Sequence, residues 1–129
     1  MARGERLNPP GVHTPQANYS HVTRVGETLY ISGQLPLDPD GRLVGPGDAE
    51  AQAEQCYRNI QRIVEHFGGS LADVVKITQF VTDMAVRPLV ARPRDRLLGT
   101  PGPASTLVAI GGLAVPEALI EIEAIAVLG

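Results

Sequence analysis

Two periods of hydrophobic residues alternate along this chain, and the switches between them mark its elements. Residues 21 to 25 and 28 to 35 are rich in β-branched and aliphatic side chains and read as two strands joined by a tight turn at Gly26-Glu27. The second strand ends at Pro36, and DPDG at 38 to 41 is a strong turn signal, after which GRLVG offers a short edge strand that Pro46 stops. The period then changes to that of a helix. Asp48 is placed to cap it, Ala53, Cys56, Ile60, Ile63, Val64 and Phe67 share one side, and Gly68-Gly69 ends it. VVKITQFVTD at 74 to 83 returns to strand character, with Val75, Ile77 and Val81 expected on one face.

A second helix is expected over 87 to 98, kinked or split at Pro93, whose ring clashes with the preceding turn. PASTLVAI at 103 to 110 and ALIEIEAIAV at 118 to 127 are the last two strands. The order strand, strand, helix, strand, helix, strand, strand predicts an α+β fold: a two-layer sandwich with both helices on one face of a mixed sheet. Residues 1 to 16 carry three prolines and no periodicity, so they read as an arm that is ordered only where it docks, ahead of a single domain over 17 to 129.

The final strand raises a problem of charge. Ile120, Ile122, Ala124 and Ala126 point to one face, suited to the helices, while Leu119, Glu121, Glu123, Ile125 and Val127 point to the other. A wholly wet face would be polar along its length, so the second set predicts cover by another subunit. A carboxylate at such a seam loses water and gains affinity for a proton, as proton-transfer chemistry near neutral pH requires. Pairing with basic groups across the seam, serving assembly alone, is an equally good reading of the two glutamates.

Composition narrows the function classes. A formal charge of −3 gives no general attraction for nucleic acid, although four arginines crowd into residues 87 to 96. The lone cysteine, Cys56, rules out an intrachain disulfide and reads as a core residue; it points to a reducing, cytoplasmic setting. No run of about 18 apolar residues suggests a membrane span, and His13, His21 and His66 lack metal-ligand spacing. His66 is better placed to meet the dipole at the end of its helix.

Taken together, YSHVTRVGETLYISGQLPLDPDGRLV, the helix from Asp48 to Gly69, DVVKITQFVTDM, PASTLV and IEIEAIAV resemble the reactive intermediate deaminase (RidA, YjgF-like) family over about residues 17 to 128. The resemblance implies chorismate-mutase-like subunits in a homotrimer with pockets at the subunit boundaries. It also implies hydrolysis of enamines or imines to a carbonyl product and ammonia, without metal or organic cofactor. The family's pocket tyrosine corresponds to Tyr19, the serine of its SGQ motif to Ser32 with Gly33 beside it, and the first glutamate of its EIEA motif to Glu121. Ser105 stands where the family's deaminases carry a carboxylate-binding arginine, with Thr106 next to it. A hydroxyl is a much weaker carboxylate partner than a guanidinium, whose charged hydrogen bonds are worth about 1.5–3 kcal/mol each. Anionic imines are therefore expected to bind poorly unless Arg87, Arg92, Arg94 or Arg96 reaches the pocket. A ligand-binding trimer that has lost the chemistry is the alternative.

Overall fold

The computed structural model describes residues 3–129. Its six strands are β1 (Glu5–Leu7), β2 (Val22–Val25), β3 (Thr28–Gln34), β4 (Val74–Val81), β5 (Ala104–Ala109) and β6 (Ile120–Val127); its two helices are α1 (Ala49–His66) and α2 (Arg87–Leu98). They form one sheet in the order β1-β2-β3-β6-β4-β5, in which β4 and β5 run parallel and every other pair antiparallel. The last strand thus occupies the centre, with α1 packed across β3 and β6 and α2 beside α1. This is the expected α+β sandwich with a mixed sheet.

The buried face of β6 is the one that alternation predicts: Ile120, Ile122, Ala124 and Ala126 are buried. They meet Ala53, Cys56, Ile60, Ile63 and Val64 of α1, and Phe67 completes the stripe half-buried beneath the Arg24 guanidinium, 5.4 Å from the ring centroid. Asp48 caps α1 by accepting a hydrogen bond from the Ala51 amide, which satisfies one of the first-turn N–H groups that have no partner within the helix. Three polar side chains on α1 are buried as well: Gln52 and Asn59 tie loops to the core, and Tyr57 reaches β4. Gln52 accepts from the Leu119 amide, Asn59 donates to the carbonyls of Leu35 and Leu37, and Tyr57 donates to Gln79.

Several expectations are corrected. Glu5–Leu7 pairs with β2, so part of the N-terminal arm is an edge strand; Met1 and Ala2 lie outside the described residues. GRLVG forms no strand of the sheet, only a bridge between Leu37 and Leu43, because the Asp38 carboxylate closes the turn onto the amides of Asp40 and Arg42. Val75 is exposed: a register shift between Val74 and Lys76 against β6 turns Val74 inward, so the inner face reads Val74, Ile77, Gln79 and Val81. Leu119, just before β6, packs against the core cluster rather than on the outer face. α2 is a single helix with Pro93 inside it; the ring is buried and removes one helical hydrogen bond without ending the element.

Two substitutions test this packing. Ile77→Ala should lower unfolding free energy by about 2–5 kcal/mol and Asp48→Ala by about 1 kcal/mol, read from denaturant titrations with unchanged slope.

Candidate functional site

The outer face of β6 is where the chemistry gathers, and a bulge in β3 creates it. Pairing between β3 and β6 steps from Ile31↔Ala124 to Gln34↔Ile122, three residues against two, so Ser32 and Gly33 bulge out of the ladder. Glu121 folds over that bulge. A Cβ at Gly33 would stand 2.2 Å from Glu121 Oε1 and 2.7 Å from its Cδ, so only glycine lets the carboxyl lie against the backbone here. Ser32 is held on the other side, its hydroxyl donating to the Ser20 carbonyl at 2.7 Å and its amide to the His21 carbonyl at 2.9 Å. Tyr19, one residue away, is 42% exposed and meets His21 edge-on with ring centroids 6.3 Å apart. Tyr19, Ser32, Gly33 and Glu121 therefore converge on one end of the central strands.

Electrostatics distinguishes the two glutamates. Burial raises the proton affinity of Glu121, and the neighbouring Glu123 carboxylate raises it further. Glu123 is exposed and lines a cavity of about 260 Å³ on the outer face with Tyr30, Lys76, Thr78 and Ile125. The Cys56 thiol lies under the sheet, where burial first and then Glu121 push its ionisation up; it is a core group, not a nucleophile.

Ser105 and Thr106 do not join this cluster within one subunit. They lie on β5, at the sheet edge two strands from β6, roughly 10 Å away by strand spacing. Pairing with Thr78 puts Thr106 on the outer face, where its hydroxyl accepts a hydrogen bond from Lys76 Nζ at 2.9 Å. Ser105 pairs with Ile77 and faces the helix side. Its oxygen accepts from buried Gln79, which in turn accepts from the Tyr57 hydroxyl. The Ser105 hydroxyl borders a cavity of about 350 Å³ closed by Gly99, Thr100, Gly102 and Pro103, and Arg94 lines the same cavity. Arg94 Nε is paired with Asp95 at 2.9 Å, whereas Arg92 and Arg96 are drawn to Glu50 and Glu54 of α1. Of the four arginines, Arg94 is thus the one placed beside Ser105. Among the described residues no three His, Cys, Asp or Glu side chains gather as a metal-binding group, and no helix is long and apolar enough to cross a membrane.

Sequence reasoning missed Gln34 and His21, both buried next to the bulge. The signal was a polar residue on the inner face of an otherwise apolar strand.

Residues 11–128 match the family described as Endoribonuclease L-PSP. The chain belongs to this family. Within it, the chain is 36% identical over 122 residues to the 3-aminoacrylate deaminase RutC of Acinetobacter baylyi, covering 95% of this chain and 96% of that protein. Among solved structures, RidA from an Antarctic Psychrobacter bacterium superposes with a TM-score of 0.87 at 35% identity, covering 95% of this chain and 100% of that one. The YjgF gene product of Escherichia coli gives 0.87 at 31% identity, with 97% and 99% covered. The RidA/YjgF-like resemblance and the chorismate-mutase-like fold it implies both hold.

Gly33→Ala tests the packing at the bulge. The clash is with the mobile end of a side chain, so stability should change by about 1 kcal/mol or less. The Glu121 carboxyl, followed by carbon NMR, should swing into water and titrate closer to the ordinary glutamate range.

Proposed function

We propose that this chain is a cytoplasmic homotrimeric deaminase that hydrolyses a small enamine or imine in clefts between subunits. The observation that carries this reading is the Glu121 carboxyl, sheltered against the Gly33 backbone with raised proton affinity. The relative named as a 3-aminoacrylate deaminase supports the same reaction class. Cover by a second subunit is supported by the outer face of the sheet, where Tyr30, Val75, Val108 and Val127 are all exposed.

In this mechanism an enamine first gains a proton at carbon and loses one from nitrogen to become the imine. Water then adds its oxygen to the imine carbon and gives a proton to Glu121. Glu121 returns that proton to nitrogen. Collapse of the resulting carbinolamine breaks the C–N bond, moves the hydroxyl proton to the departing nitrogen and leaves carbonyl and ammonia. Raised proton affinity brings Glu121 closer to neutrality, where it both accepts and donates with little cost. Ser32 and Tyr19 orient the substrate, and backbone amides near Gly33 and Thr106 help to bind it. The edge strand β5 of one subunit meets the Glu121 face of the next, which brings Ser105 and Thr106 to the cleft. There Arg94, beside Ser105, supplies the positive charge for a substrate carboxylate.

Ammonia release from imines generated in situ by an amino-acid oxidase or a dehydratase tests the reading. Glu121→Gln should lower kcat by about 10²–10⁴-fold. If imines decay no faster with the protein than without it, the alternative of a non-catalytic binding trimer replaces the enzyme. Arg94→Gln should raise KM for carboxylate-bearing imines about tenfold and leave neutral imines unaffected.

The same glutamate predicts a pH-dependent stability. Its folded-state proton affinity exceeds that of the unfolded chain, so the associated stability is present at low pH and is lost as pH rises through the raised folded value. Glu121→Gln should therefore melt above the wild type near pH ~7, and the gap should close by pH ~4.

A further inference from the structure

We infer that His21 is a positioning residue for the Glu121 site: its imidazole, locked by the N-terminal segment, fixes through Gln34 the bulge that presents Ser32 and Gly33 to the Glu121 carboxyl. Around the bulge, ladder bonds are missing. β2 stops pairing with β3 at Val22↔Ile31, and the pairing of β3 with β6 jumps from Ile31 to Gln34. Beyond these pairs the Ser32 amide still donates to the His21 carbonyl at 2.9 Å, and side chains hold the rest of the bulge. Gln34 Nε2 donates one hydrogen to the Ser32 carbonyl at 3.1 Å and the other to His21 Nδ1 at 3.0 Å.

The chemistry of the partners leaves one arrangement. His21 Nε2 contacts the His13 carbonyl, and a carbonyl can only accept, so the hydrogen of the neutral ring sits on Nε2. Nδ1 is then an acceptor, and the Gln34 amide must turn its NH₂ toward it. That orientation leaves Gln34 Oε1 buried with no hydrogen-bond partner among the described residues, a cost accepted to keep both Nε2 hydrogens bonded. Gln34, His21 and His13 are all at least 97% buried, and His21 is further pinned by its own amide, which donates to Asn8 Oδ1 at 2.8 Å. The N-terminal segment thus reaches the site through Asn8 and the His13 carbonyl. Swapping the hydrogen on the imidazole would set two donors face to face and release the Ser32–Gly33 peptide.

The inference rests on Glu121 as the acid–base group, and a readout independent of activity separates the two. In His21→Phe, which keeps bulk but loses both ring hydrogen bonds, the Glu121 carboxyl should titrate closer to ordinary glutamate, and kcat should fall about tenfold or more with little change in KM. His21→Gln, which keeps one donor and one acceptor, should restore both values. Gln34→Met, with the imidazole intact, should repeat the effect of His21→Phe. An unmoved Glu121 titration in a folded His21→Phe or Gln34→Met protein overturns the inference, whatever the activity. If the titration moves but the wild type releases no ammonia, the positioning stands and the deaminase reading falls. Long-range ¹H–¹⁵N NMR of the wild type decides the matter even if both variants fail to fold: a hydrogen on Nε2 of His21 is expected, and one on Nδ1 refutes the proposal.

Discussion

The contact between the Glu121 carboxyl and the Gly33 backbone is the constraint on which the rest of this structure turns. A glutamate on the central strand of a sheet has three options: to reach water, to meet a cation, or to be sheltered and hold its proton more tightly. Glu121 takes the third, because β3 bulges at Ser32-Gly33 and because residue 33 has no side chain to fill the space. Any other residue there would turn the carboxyl outward. Among the described residues no ion pair involves Glu121, and the nearest charge that shifts it is the carboxylate of Glu123, which works in the same direction as burial. The inner face of the same strand supplies the stability to hold this arrangement, since Ile120, Ile122, Ala124 and Ala126 carry none of the cost of the charge on the other side.

How much of this was legible in the sequence depends on the kind of regularity involved. Alternation along β6 separates the core face from the charged face, and the stripe on α1 identifies the surface that covers the core, because both follow from a fixed period. The register shift at Val74-Lys76 was not legible, since a bulge adds a residue without changing composition, and it inverted the expected role of Val75. GRLVG has the composition of a strand, but the Asp38 turn consumes the hydrogen bonds that would have begun a ladder. Pro93 reads as a helix breaker, yet one missing amide is tolerable in a helix whose proline ring is buried. At the site, the resemblance supplied Tyr19, Ser32, Gly33 and Glu121 as a set, and they lie together. His21 and Gln34 escaped because a polar residue on an inner face signals only that it needs a partner, while which atom donates to which is a property of geometry.

Ser105 poses the sharper question about specificity. Where the resemblance places a guanidinium, the Ser105 hydroxyl accepts from Gln79, and the cavity beside it is lined by Gly99, Gly102, Pro103 and Arg94. An arginine carried on α2 differs from one carried on β5 in what else it must do. Arg94 is bound to Asp95 through Nε, so its positive charge is half-answered before any ligand arrives, and the pair as a whole is close to neutral. Such a pair attracts a carboxylate less strongly at a distance than a lone guanidinium and selects more by contact. If Arg94 meets the substrate as proposed, those with a weaker or more dispersed negative charge lose less than simple carboxylates do. On the proposed reading, the choice among substrates depends on where the cation is anchored as well as on its presence.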